Sequence, residues 1–285
     1  MNQTGIAAAA WVLRARREGW AVGQFNMSNL ETLQAIADAA NETKAPVFVG
    51  TSMGTLRHAG LEYVAAMARA AKVASPVPLL FHLDHGPDFA TVAACIDLGW
   101  DSVMIDASAL PYEENVALVR RVVAMAHPRG VAVEAQIGQT WEEDGDDRTE
   151  VVTTPEAAQG FVRATGVDYV AVSIGNTPGQ VEGEAPIDIP LLRAIARLAD
   201  IPIVMHGGSS VPDAVMREAI GLGVAKINID TAIRLAVSRT LADHYRGDRP
   251  ASDPRVPFRE ARDAAKASTL EKIALFGAVG RVGED

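Results

Sequence analysis

The stretch PLLFHLDHG, residues 78–86, joins a short apolar run to three titratable groups, His82, Asp84 and His85. A run of this length, opened by a proline and closed by a glycine, fits a strand buried on both faces with its polar residues gathered at one end. The same kind of run recurs as AVGQF from Ala21, PVFVG from Pro46, DSVMID from Asp101, VAVEAQ from Val131, DYVAVS from Asp168, IPIVMH from Ile201 and AKINI from Ala225, eight in all. Between them, segments such as LETLQAIADAANET and LEYVAAMARAAKVA repeat apolar residues every three or four positions, the period of a helix with one buried face. Apolar strands alternating with helices imply parallel pairing with both sheet faces covered. Eight such units in 285 residues, with no linker or break in composition, predict a single α/β domain over residues 1–285, a (β/α)8 TIM barrel rather than a doubly wound sheet. An N-terminal helix precedes the barrel and a helical extension follows from Asp253. Local signals place helix starts at Ser28 with Glu31, a capping box, and at Pro155 and Pro212 in first turns.

The charge balance narrows the partners. Lys and Arg total 26 against 36 Asp and Glu, a net charge of -10, which argues against binding a polyphosphate backbone. A small anionic metabolite remains compatible, because a few local donors suffice for one phosphate. The single cysteine, Cys95, has no intrachain partner, and the first apolar run is too short to span a bilayer, so the sequence reads as cytoplasmic.

In a barrel of this kind, chemistry belongs at the C-terminal ends of the strands. Seven of the eight expected strands end there in polar groups: Gln24 to Asn26, Gly50 to Ser52, His82 to Gly86, Asp106 to Ser108, Glu134 to Gln136, His206 to Ser210 and Asn228 to Thr231. His85 and His206, from two strands, are placed to give two imidazole ligands to a divalent metal, and Asp84 is the natural proton-transfer group beside them. Strand alternation puts His82 and Asp84 on one face and His85 on the other, which makes His82 a supporting group rather than a ligand. The Gly207-Gly208-Ser209 turn and the Asp230-Thr231 helix start form a candidate phosphate site. Lys226 shares the parity of Asn228 and points into the barrel, as a lysine paired with a carboxylate or as a Schiff-base amine.

The motifs AVGQFNMSNLE, FHLDHG, DSVMIDAS, VEAQIG, TGVDYVAVSIG, MHGGSS, AKINIDTAIR and DPRVPFREAR, in this order along nearly the whole chain, resemble those of the class II, metal-dependent ketose-bisphosphate aldolases, which include the fructose- and tagatose-bisphosphate enzymes. The resemblance implies a lyase that cleaves a ketose 1,6-bisphosphate such as fructose 1,6-bisphosphate to dihydroxyacetone phosphate and an aldehyde. It also implies a bound Zn2+ or other divalent metal and a homo-oligomer, dimer or tetramer. By it, Asp84 transfers the proton, His85 and His206 bind zinc, and Asn228 contacts the reacting ketose carbons. Gly179, Gly207, Ser209, Asp230 and Thr231 surround the phosphate of the dihydroxyacetone half, Asn26 and Ser52 lie near the other half, and Arg259 is a local match to an arginine on the second phosphate.

Two positions depart from that pattern. After the sixth strand the family reads approximately AIGTAHG and supplies a third histidine ligand, where this chain reads SIGNTPG with Pro178 at that place. In the fifth strand the family's paired glutamates become Glu134-Ala135-Gln136. Both changes fall on one side of the expected metal, so the sequence predicts a remodelled, weak or absent metal site, with Glu134, Asn176 or a carboxylate of the acidic WEEDGDD loop as replacement ligands. Two other readings stand beside this one: a lyase of the same fold on another phosphorylated substrate with weak or no metal, and a noncatalytic sugar-phosphate binding protein.

Overall fold

The computed structural model describes residues 6–138, 152–175, 187–246 and 253–283. Eight parallel strands close into a barrel in chain order: β1 (Val22–Asn26), β2 (Val47–Ser52), β3 (Leu79–Gly86), β4 (Ser102–Ile105), β5 (Ala132–Ile137), β6 (Tyr169–Val172), β7 (Ile203–Met205) and β8 (Val224–Ile229). Closure is made by β1 pairing with both β2 and β8, so that Gln24 stands level with Phe48 and with Asn228. Burial is unbroken along β1, β5 and β8, as two covered faces require. Every expected strand is present in its expected place, as is the α/β barrel they predict.

The helices cover the barrel by the faces their periodicity marks. In the Leu30–Thr43 helix, Leu33, Ile36, Ala39 and Ala40 are buried. Its cap differs from the expected Ser28 and Glu31 pair by one residue: Asn29 Oδ1 accepts from the Thr32 amide at 3.0 Å and Thr32 Oγ1 accepts from the Asn29 amide at 3.0 Å. A threonine hydroxyl closes the box here as a glutamate would, which moves the helix start one position on. Pro155 opens the Pro155–Thr165 helix as expected, whereas Pro212 sits just outside the Asp213–Gly221 helix, at its cap. The N-terminal Ala7–Glu18 helix packs against β1, β5 and β8, strands on opposite sides of the ring, and so lies across the barrel floor. The C-terminal Arg255–Leu275 helix packs on the Leu30–Thr43 and Thr231–Arg246 helices. Among the described residues no helix is long and apolar enough to cross a membrane.

At the end of β3 simple alternation fails. Pairing with β4 slips between Leu83 and Gly86, and His85 adopts a left-handed conformation with φ 51. Such a backbone is strained for a residue with a side chain and is held by the surrounding fold. It turns the His85 imidazole, which parity would send outward, back to the barrel mouth. Gly86 follows because nothing larger fits: a Cβ there would lie 2.5 Å from the Met104 carbonyl oxygen and 2.7 Å from Leu83 Cδ2.

The barrel interior holds charge. Lys226 and Glu134 are both fully buried, with Nζ 2.8 Å from Oε2, and Lys226 also donates to Asn228 Oδ1 at 2.8 Å. The ammonium lies over the rings of Phe48 at 5.5 Å and Tyr169 at 6.0 Å. Burial and the Lys226 charge hold His82 neutral, its pKa lowered to about 3. Burial raises the Tyr169 hydroxyl well above its ordinary range, so it keeps its proton, and it shares a short hydrogen bond with Ser102 Oγ. Ser102 Oγ in turn lies 2.8 Å from His82 Nδ1, and the other ring nitrogen, Nε2, lies 3.6 Å from Glu134 Oε2. Three side chains thus direct nitrogens at the Glu134 carboxylate: Lys226, His82 and, 2.8 Å from Oε1, His206.

Removing one member of a buried pair leaves an uncompensated charge, which typically costs about 3–5 kcal/mol. Lys226→Met is therefore expected to lower the stability measured by urea unfolding by about that amount. Adding Glu134→Gln to it should recover most of the loss, because the orphaned charge is then gone.

Candidate active site

The mouth of the barrel brings together Asp84 and His85 from the end of β3 and His206 from just beyond β7. Each offers one ligand atom, and these atoms lie within 4.8 Å of one another. His85 Nε2 and His206 Nδ1 face each other at 2.9 Å. The far nitrogens are tied to carboxylates: His85 Nδ1 is 2.6 Å from Asp106 Oδ2, and His206 Nε2 is 2.8 Å from Glu134 Oε1. A neutral imidazole carries one N–H, and in each ring the carboxylate claims it. The nitrogens that face one another are then two lone pairs at 2.9 Å, an arrangement that calls for a positive charge between or beside them. A proton or a divalent metal meets that need, and an imidazole backed by a carboxylate is the form in which histidine best serves a metal.

Asp84 completes the group. Its Oδ2 accepts from Asn26 Nδ2 at 2.7 Å and its Oδ1 from Asn228 Nδ2 at 3.2 Å. Burial alone would raise this carboxyl, but its electrostatic interaction with the His85, His206 and His82 rings and the Asn26 hydrogen bond outweigh it and lower its pKa to about 2. Asp106 and Glu134 show the same contest with the same result. Burial opposes ionisation in each, while the His85 hydrogen bond and charge hold Asp106, and the Lys226 ammonium and His206 hydrogen bond hold Glu134, well below the usual carboxylate range.

The other expected residues fall into three groups. Asn26 and Asn228 join the cluster through Asp84, and Asn228 Nδ2 also lies 3.4 Å from His206 Nδ1. Ser52, level with Asp84 in the sheet, accepts from the Thr55 amide at 3.3 Å and so caps the Met53–Ala59 helix. Gly207, left-handed at φ 66, leads into the short turn Gly208–Ser210. There Ser209 Oγ accepts from the Ala232 amide at 3.3 Å, which sets the turn against Asp230 and Thr231. Gly208 itself allows this approach, because a Cβ on it would lie 2.7 Å from Ile227 Cγ2. Asp230 Oδ1 pairs with Arg234 Nε at 3.1 Å, so a cation stands beside the one acidic group of the turn. Arg259 is exposed on the Arg255–Leu275 helix, with no bond to this cluster among the described residues. Gly179, Pro178, Asn176 and the acidic loop lie outside the described residues.

Sequence reasoning passed over Asp106 as a functional partner, although it noted the residue at the β4 rim. Its place shows only once the bulge has turned His85 toward it. Glu134, expected as a substitute ligand, has Oε1 on His206 and Oε2 on Lys226, which puts it behind the imidazole. Gln136, where the family carries a second glutamate, donates to the Gly138 carbonyl at 3.3 Å.

This geometry can be set against known proteins. The family model described as "Fructose-bisphosphate aldolase class-II" matches residues 7–281. The chain is 38% identical to the fructose-bisphosphate aldolase of Geobacillus stearothermophilus, covering 95% of this chain and 96% of that one. It is 37% identical to the D-tagatose-1,6-bisphosphate aldolase subunit GatY of Klebsiella oxytoca, over 97% of this chain and 99% of that protein. Among solved structures, the YdjI aldolase of Escherichia coli K12 superposes with a TM-score of 0.87 at 33% identity, covering 96% of this chain and 98% of that one. With motif order, barrel topology and a family match that runs almost end to end, the chain belongs to the class II fructose-bisphosphate aldolase family.

Proposed function

We propose that the protein is a metal-dependent aldehyde-lyase that splits a phosphorylated ketose, most simply a ketose 1,6-bisphosphate, into dihydroxyacetone phosphate and an aldehyde. The observation that carries this reading is the ionised, buried Asp84 beside two carboxylate-backed imidazoles whose near nitrogens face each other. His85 and His206 fit a divalent metal such as Zn2+ and would hold it, with Asp84 alongside. When bound, that metal supplies the electrophilic pull on the ketone oxygen that makes carbon–carbon cleavage feasible.

The chain's own residues supply the rest. Retro-aldol cleavage needs a base for the proton of the hydroxyl on the carbon that leaves as the aldehyde. Asp84 is that base in this reading: Asn26 and Asn228 keep it ionised and aimed, and the closed strand walls keep water scarce. Asn228, anchored from below by Lys226, lies between Asp84 and His206, where it can orient the ketose. The Gly207 to Ser209 turn with Asp230, Thr231 and Gly179 is proposed to seat the first phosphate, the Arg234 cation offsetting the Asp230 charge. Arg259 and Ser52 are proposed to reach the far half of the substrate. Lys226 is sealed in the core between Glu134 and Asn228, which speaks against a Schiff base at that amine. A cytoplasmic location and a homo-oligomeric state of a single-domain chain go with this reading.

Asp84→Asn tests the assignment directly. It is expected to leave the thermal midpoint near that of the parent and to lower turnover of the best ketose phosphate by at least about a hundredfold in a coupled assay for dihydroxyacetone phosphate. Near-normal turnover would remove Asp84 from the proton-transfer role.

Pro178 at the family's third histidine position sets the expectation for the metal. Purified protein should carry substoichiometric zinc by elemental analysis, lose cleavage in chelator and regain it with excess divalent cation. Pro178→His should tighten zinc binding by at least about tenfold in a competition titration. One tightly held zinc per parent chain would overturn the weak-site reading.

A further inference from the structure

We infer that Gly50 is a positioning residue: its missing side chain makes room for a Gln24–Asn26 amide relay that fixes the direction of the Asp84 carboxylate. The inference rests on the aldolase reading for its catalytic meaning, and on geometry for everything else.

Gly50 sits inside β2, where a glycine weakens a strand because it has no side chain to pack and more freedom to lose. Its backbone is not among those with positive φ, so an ordinary residue could adopt the same conformation. The reason for glycine is therefore space. A Cβ built at Gly50 overlaps Asn26 Oδ1 and comes within 2.8 Å of Gln24 Nε2 and 2.9 Å of Asn26 Cγ. The volume a side chain would fill is occupied by two amides from the neighbouring strand.

Those amides have one consistent orientation. The Asp84 carboxylate only accepts, so Asn26 must turn its NH2 toward Oδ2, at 2.7 Å, and its carbonyl oxygen away. That oxygen needs a donor, and Gln24 Nε2 supplies it at 3.0 Å. Gln24 in turn is left with a buried Oε1 that has no hydrogen-bond partner among the described residues, an unfavourable state that native cores keep to a few positions. The relay thus sacrifices one hydrogen bond at its far end to hold a specific one at Asp84. Its effect on Asp84 is to bind Oδ2 closely and leave Oδ1, at 3.2 Å from Asn228, as the more loosely held oxygen. In the proposed reaction Oδ1 is then the atom that takes the hydroxyl proton. A methyl group at position 50 pushes Asn26 off this line, and a displacement near 1 Å at a reacting group commonly lowers rate by about a hundredfold.

A double-mutant cycle tests this. Gly50→Ala is expected to lower kcat by about 10- to 100-fold with KM changed less than about threefold, and Asn26→Ala to do the same. Once Asn26 is alanine, the Gly50→Ala step should cost less than about twofold, because the amide that links position 50 to Asp84 has gone. Losses that multiply independently would overturn the inference. Gln24→Met, which removes the donor without adding bulk at position 50, should reproduce the kcat loss, and an unchanged kcat there would also overturn it. A crystal structure of Gly50→Ala reads the geometry without any assay: Asn26 is expected to have left Asp84, and an Asn26 still within hydrogen-bond distance of Oδ2 defeats the inference. If the parent cleaves no ketose phosphate, the functional reading fails, while the crystal structure still decides whether Gly50 governs the relay.

Discussion

A lysine ammonium in the middle of a closed barrel has to be answered, and in this protein the answer organises the site above it. Glu134 neutralises Lys226, and with its other oxygen it takes the proton of His206, which fixes the tautomer of that ring and presents the opposite nitrogen to the mouth. Lys226 meanwhile grips the Asn228 carbonyl, so the Asn228 NH2 must point up at Asp84. One buried ion pair therefore sets the direction of an imidazole and of an amide at once. A pair of this kind adds little net stability over an apolar core. Its value here is orientation, since both of its members are linked to groups at the mouth.

The fold was legible because barrel strands and their helices differ in period, and no strand departs from that contrast. The site was legible as a set, because β-strand ends collect on one rim whatever the details of packing. Direction was harder to read. Parity placed His85 on the wrong face, since a left-handed residue and a slipped register cannot be seen in a hydrophobic pattern. Glu134 was expected as a spare ligand because the family's third histidine is missing, and only the depth of Lys226 in the barrel shows what holds it. Gly50 gave no signal as an amino acid in a strand, because the space it yields is filled from a different strand. The Asn29 and Thr32 cap was missed by one residue because several small polar side chains in a row can all start a helix.

The departures from the family pattern also gain a physical setting. Gln136 at the second glutamate position removes a negative charge from the end of β5, while the carboxylates behind both imidazoles remain. The parts that prepare the histidines are thus intact, and the change falls on the groups that would join them around a metal.

The Ala7–Glu18 helix covers the barrel floor, so among the described residues the site at the opposite end is approached from the mouth. Whatever enters must leave by the path it came, and the two fragments of a split molecule must depart in sequence through an opening that the next molecule also needs. A fragment lingering at the mouth would therefore stand in the way of the next substrate, so inhibition by product is the expected cost of a floor covered in this way.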